Sequence, residues 1–306
     1  MGINRLRDAF INALNRRAES DRDVFLLVGD LGFGVVEDFE SKFPRQYLNA
    51  GVAEQNMAGM AAGLASQGFK PFIYSIANFP TFRCLEQIRN DIAHTGLPVV
   101  IVSVGAGFSY GNLGYSHYAL EDMAIMRALP GMRVLSPADA LEVEICMDLI
   151  QADPKPTYLR LGKNGESLIH SNGSELYLHQ NDIRVGQKIL VLATGSISKV
   201  AFDALEVLDP NQETFHLSTV PVVKPLNLDL NLLRRFNQIV SIEEHSVIGG
   251  LGSSVLEFLN AHDIHTKTTV IGVPDSGIFD QGSSDYMRAK SGLSQKQIEK
   301  RLSKLT

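Results

Sequence analysis

Cysteine is scarce: Cys84 and Cys146 are the whole complement in 306 residues. They have neither metal-ligand spacing nor a paired framework, which excludes a disulfide-stapled scaffold and fits a reducing cytosol. Long apolar runs are missing too. No stretch reaches the roughly 18 residues of a membrane-spanning helix. The N-terminal segment MGINRLRDAFINALNRRAESD sets charges between Leu6, Phe10, Ile11 and Leu14, where a signal peptide needs an unbroken apolar run. An excess of one charge is also absent. Lys and Arg number 28, Asp and Glu 34, and the net charge is −6. That balance argues against nucleic acid and anionic membranes as partners. A cytoplasmic protein is expected.

What is present is alternation. At roughly 150 residues per domain, the length suggests two domains. In the first half, DVFLLVGD, KPFIYSI, LPVVIVSVGAG, MRVLSP and PTYLRLGK read as strands. The apolar run LPVVIVSVGAG is typical of a parallel strand covered on both faces. Between them, NMAGMAAGLASQG, FRCLEQIRNDIAHTG, ALEDMAIMRALPG and ADALEVEICMDLIQAD read as helices. Residues from about 163 to 187 are polar and rich in Gly, Ser and Asn, which marks a domain boundary. A second alternating unit follows, with KILVLATGS, ETFHLSTV, IVSIEEH and KTTVIGV as strands. ISKVAFDALEVL, LNLLRRFNQ and GGLGSSVLEFLNAH are its helices, before a polar helical tail from Ser284. The fold class is therefore α/β in both halves. The expected division is a first domain over 1–165, a linker over 166–187 and a second domain over 188–306.

Few residues stand out chemically. Glu54 sits just before a helix of small residues. It reads either as a carboxylate satisfying free backbone N–H groups or as one placed to share a proton with a ligand nitrogen. His117 lies in the Gly- and Tyr-rich stretch GFSYGNLGYSHYALED, which follows a buried strand. Loops at the carboxyl ends of parallel strands carry ligands, so His117 is an acid/base or hydrogen-bond candidate. The other histidines, His170 among them, read as structural or solvated. GGLGSSV lacks the Lys-Ser/Thr of a phosphate loop, and its glycines read as close packing of helix on sheet. The single glycines of GDLG read as a turn. No metal spacing and no G-x-S-x-G elbow is found, so hydrolytic serine chemistry is unsupported.

Taken in order, GVAEQNMAGMAAGLASQGFKPF, ANFPTF, HTGLPVVIVSVGAG, GYSHYALEDMAIMRALPGMRVLSPAD and PTYLRLGK resemble the pyrimidine-binding domain of transketolase. ILVLATGS, VKPL and EEHSVIGGLGSSV resemble the same family's C-terminal domain. The resemblance implies two three-layer α/β domains, the first built on a mostly parallel sheet and the second smaller. It implies thiamine diphosphate as cofactor, with Glu54 at the position of the glutamate that shares a proton with pyrimidine N1′ and so activates the thiazolium carbon. Phe79 matches the stacking aromatic, and Ile76 and Phe82 match its pocket neighbours. His117 matches a histidine facing substrate, with Ser116 before it. Lys163 matches a phosphate-binding arginine, with Arg160 close by.

Three departures shape the expectation. The family's Gly-Asp-Gly…Asn motif for diphosphate and metal is missing. The resemblance therefore implies half of a split enzyme, whose Mg²⁺ (or Ca²⁺) and diphosphate are held mainly by a partner subunit carrying the N-terminal half. An α2β2 assembly, self-associating through the pyrimidine-binding domain, is implied with it. A substrate-facing histidine of typical members falls at Gly105, and an acidic donor-recognising position falls near Leu113. Lysine replaces arginine at Lys163, giving a point charge without the bidentate fork. The expected activity is transfer of a two-carbon ketol unit from a ketose or ketose phosphate to an aldose. The alternatives are a β subunit of a 2-oxo acid dehydrogenase, a deoxyxylulose-phosphate-synthase-like condensing enzyme, or a non-catalytic scaffold.

Overall fold

A computed structural model of the chain describes residues 5–163 and 167–306. The boundary expected between 165 and 166 lies outside the described residues. The first half runs α1 (Leu6–Ser20), β1 (Val24–Val28), α2 (Glu37–Lys42), β2 (Tyr47–Asn49), α3 (Glu54–Ser66), β3 (Lys70–Ile76), α4 (Leu85–Gln87), β4 (Val100–Val104), α5 (Asp122–Ala128), β5 (Arg133–Leu135), α6 (Ala140–Ala152) and β6 (Thr157–Leu161). The second half runs β7 (Asn181–Arg184), β8 (Ile189–Ala193), α7 (Ile197–Leu208), β9 (Phe215–Thr219), β10 (Val222–Lys224), α8 (Leu230–Leu233), β11 (Gln238–Ser246), α9 (Leu251–Ala261), β12 (Lys267–Val273), α10 (Ser284–Lys290) and α11 (Gln295–Leu302).

Two sheets result. One has seven strands in the order β10-β5-β6-β4-β3-β1-β2, the other five in the order β12-β11-β8-β9-β7. All pairs are parallel except β10 on β5 and β7 on β9. The strands of the larger sheet are apolar on both faces because helices cover both. Leu26, Val28, Phe72, Tyr74, Val100 and Val102 face Phe10 and Leu14 of α1 and Val143 and Met147 of α6. The alternate residues Leu27, Ile73 and Ile101 face Met57, Ala58 and Ala61 of α3, with Ile88 and Met123. This is the strand period of two, read from both sides. The smaller sheet divides likewise between Val191 with α7 and α11, and Leu190 and Leu192 with α8 and α9. Two three-layer α/β units therefore agree with the expectation.

Three details differ from the sequence reading. Residues 181–184, expected inside the linker, form edge strand β7 against β9. Strand β10, from the second half, crosses back to the edge of the first sheet beside β5. Finally, the helix expected across FRCLEQIRNDIAHTG is irregular, with wide π turns at Phe79–Arg83 and Ile88–Ala93 flanking α4. The cause of the first wide turn is local. Pro80 has no N–H to donate, and the Thr81 hydroxyl donates to the Ala77 carbonyl at 2.6 Å. No helix among the described residues is long and apolar enough to cross a membrane.

Candidate active site

The parallel sheet sets the site. Strands β2, β1, β3, β4 and β6 share one direction, and in register Asn49 lies beside Val28, Ile76 beside Val104, and Val104 beside Leu161. The segments leaving these carboxyl ends carry Glu54, Phe79, His117 and Lys163 to one edge of the sheet, where α/β folds bind ligands. Glu54 is the first residue of α3 and only 5% exposed. An acidic side chain suits that end, where backbone N–H groups lack partners. The GDLG turn lies against it: a Cβ at Gly29 would sit 3.7 Å from Glu54 Cγ. A cleft of about 390 Å³, lined by Val52, Ala53, Glu54, Gln55, Asn56 and Arg83, opens there.

The side chains form a continuous run of contacts. Arg83 Nη1 donates to Glu54 Oε1 at 3.0 Å, and the same guanidinium lies 3.9 Å from the centre of the Phe79 ring. Phe79 meets His117 edge-on, with ring centres 5.2 Å apart. The Ser116 hydroxyl lies 2.9 Å from His117 Nδ1, and Asn78 Nδ2 donates to the Ser116 carbonyl. Burial pushes the His117 imidazole below its ordinary range, and the nearby Arg83 charge adds to that effect. The ring is therefore neutral at neutral pH. Ile76 ends β3, half-buried, and Phe82 is half exposed. Neither has a ring contact with the others.

Lys163 joins the site through a residue that sequence reasoning passed over. Its Nζ stands 4.3 Å from the centre of the Tyr110 ring, and that ring is 6.4 Å from His117. Tyr110 also explains the glycine at 105. Gly105 has φ +103°, and a Cβ built there would overlap the Tyr110 ring. The aromatic side chain fills the space a histidine would need. Leu113 is exposed. Arg160 corrects the expectation of a second cation near Lys163. It is 2% exposed and binds the buried Asp122 through Nε at 2.7 Å. Its Nη2 donates to the Ala119 and Glu244 carbonyls at 2.8 and 3.0 Å. It ties the His117 loop to the second sheet and is not open to a substrate.

The GGLGSSV turn also serves the interior. The N–H groups of Leu251 and Gly252 donate to the Glu243 carboxylate at 2.7 and 2.9 Å, and a Cβ at Gly252 would lie 2.5 Å from Val270. Its glycines are packing residues. Among the described residues no group of three or more His, Cys, Asp and Glu is arranged to hold a metal. The groups at Glu54, a buried carboxylate linked through Arg83 to an aromatic face, fit a flat heterocycle with a ring nitrogen to share a proton. Arg83 and Tyr110 had no sequence signal of their own. Arg83 is fourth after Phe79 along one wide turn, which straddles the aromatic run ANFPTF and the start of the expected helix FRCLEQIRNDIAHTG.

Known proteins bear on the family and the fold. Residues 5–165 match the transketolase pyrimidine binding domain, and residues 180–298 match the transketolase C-terminal domain. A putative transketolase C-terminal section of Methanocaldococcus jannaschii is 34% identical over 268 residues, spanning 86% of this chain and 84% of its own. A subunit of the apulose-4-phosphate transketolase of Phocaeicola vulgatus is 31% identical over 297 residues, spanning 95% and 94%. A 6-deoxy-6-sulfo-D-fructose transketolase subunit, SqwH, of a Clostridium species is 33% identical, spanning 96% and 92%. Among solved structures, a split gene transketolase in an inactive β4 tetramer superposes with a TM-score of 0.85 at 31% identity, over 99% of this chain and 98% of that one. Transketolase from Campylobacter jejuni shares the fold at 15% identity and a TM-score of 0.80, with 46% of its length matched. The chain thus belongs to the transketolase family, of which it carries the pyrimidine-binding and C-terminal domains.

Proposed function

We propose that this chain is the pyrimidine-binding subunit of a two-subunit, thiamine-diphosphate-dependent transketolase. It moves a two-carbon ketol unit from a ketose, or a ketose phosphate, to an aldose. The observation that carries the reading is the buried Glu54 carboxylate at the start of α3, joined through Arg83 to the Phe79 ring and from there to His117. When bound, thiamine diphosphate supplies the electron sink for the two-carbon unit. Glu54 holds the proton shared with pyrimidine N1′. Phe79 gives the ring a stacking face, with Ile76 and Phe82 as apolar neighbours. His117, neutral and with Nδ1 beside the Ser116 hydroxyl, offers Nε2 to a substrate hydroxyl. Lys163 presents a point charge to an anionic group on the sugar. Two relatives named for a sugar phosphate and a sulfo-sugar support an anionic donor.

Relatives named as a transketolase subunit or as a C-terminal section support a missing half elsewhere. In this reading, the partner subunit carries the N-terminal domain and holds Mg²⁺ (or Ca²⁺) and the diphosphate. The assembly is α2β2, cytoplasmic, and self-associates through the pyrimidine-binding domain. The test is Glu54→Gln in the assembled complex. Turnover falls at least about 100-fold, the scale of lost general acid–base catalysis, while calorimetry still detects the cofactor. Full activity in the variant would overturn the assignment and restore the scaffold reading.

A further inference from the structure

Arg83 holds both groups that the proposed function assigns to the pyrimidine. Its Nη1 donates to Glu54 Oε1 at 3.0 Å, the atom type a ring nitrogen must reach. Its guanidinium centre lies 3.9 Å from the centre of the Phe79 ring, which is stacking distance for a flat group. A pyrimidine bonded to Glu54 and stacked on that face would occupy the space the guanidinium fills. The two are mutually exclusive there. The arginine is placed for this by the wide turn at Phe79–Arg83, which brings its side chain back over the ring four residues earlier. It is also free to leave: its side chain is 50% exposed, while Glu54 is 6% exposed.

We infer that Arg83 is an internal stand-in for the cofactor's pyrimidine. It neutralises Glu54 and covers Phe79, and it must swing out before the cofactor seats. The inference rests on the function proposed above and adds a residue to it. The ion pair gives the buried Glu54 carboxylate a partner, which a buried charge requires. It also sets the apparent affinity, because binding draws only on the fraction of molecules with Arg83 displaced. If that fraction is about one tenth, removing the latch tightens binding about tenfold.

The experiment is calorimetric titration of thiamine diphosphate with Mg²⁺, and separately of thiamine, into the complex of this chain with its partner half. Wild type is compared with Arg83→Met and Arg83→Lys. Arg83→Met is expected to lower Kd about tenfold for both ligands, since the latch competes with the ring they share. Arg83→Lys, charged but without a planar fork, falls between. Unchanged affinity overturns the inference. Weaker binding of thiamine diphosphate with unchanged binding of thiamine also overturns it, because Arg83 would then be a diphosphate ligand. If wild type binds neither ligand, the function proposed above falls and this inference with it. If wild type binds both but Arg83→Met changes nothing, only the inference falls. Arg83→Gln, which keeps a polar tip at this half-exposed position, repeats the comparison should the methionine variant fold poorly.

Discussion

Glu54 is a carboxylate that the backbone prepares and a side chain occupies. The start of α3 favours an acidic residue whatever its function, so its chemistry could not be settled from its position alone. Its neighbours add what position cannot, and they follow other strands. Phe79 and His117 carried a sequence signal because each follows a strand in a motif with a family likeness. Arg83 and Tyr110 were not, because their roles arise from contacts between loops. The same holds for His170, which the sequence leaves among the scattered histidines. In the fold its Nδ1 lies 2.9 Å from Asp139 Oδ2 and its Nε2 3.5 Å from Glu142 Oε1. Burial alone would push its pKa down, but the bond to Asp139 and the charge of Glu142 hold it above 6.5. A group whose folded pKa exceeds its unfolded one stabilises fully below the unfolded value and loses that contribution as pH rises through the folded value. Melting temperature should therefore decline as pH rises above 6.5, and the decline should be smaller in His170→Asn. Equal pH profiles for the two proteins would contradict this assignment.

The elements show where local pattern succeeds. The long parallel strands and α1, α3, α6, α7 and α9 follow from apolar period and composition, because each buries a full face. Short pieces do not. Strands β2 and β10 have three residues each and exist because a neighbouring strand offers partners. The wide turns around α4 were hidden in a sequence with ordinary helical period, since Pro80 and Thr81 act through single bonds. The loop between β4 and α5 is closely packed around Gly105. At Gly105 the backbone is left-handed and Tyr110 fills the side-chain space, so the loop accepts no Cβ there. Gly105→Ala should destabilise the chain by about 1–3 kcal/mol through backbone strain and overpacking, with activity falling as Tyr110 and Lys163 shift. Denaturant unfolding measures the first effect and steady-state kinetics the second. A variant with wild-type stability would show that the loop has room that its geometry denies.

Across the whole molecule, the two sheets are joined by buried charge as well as by chain. Asp122 accepts from Tyr158 and from Arg160, both at 2.7 Å. Arg160 also binds the Glu244 carbonyl, and the Glu244 carboxylate accepts from the Phe108 N–H at 2.8 Å and from Arg288. This network fixes the loop that carries His117 to the second sheet, so the C-terminal domain shapes the site without lining it. The alternation of strands and helices made both units readable. It could not show the crossing of β10 or this junction, because both depend on residues more than 80 positions apart. The partner subunit lies outside this chain altogether, and the proposed diphosphate site lies with it. The decisive measurement is calorimetric titration of thiamine diphosphate with Mg²⁺ into this chain alone and into its mixture with the N-terminal-half subunit. Tight binding is expected only in the mixture. Equally tight binding by this chain alone would contradict it, because the diphosphate site would then be encoded here.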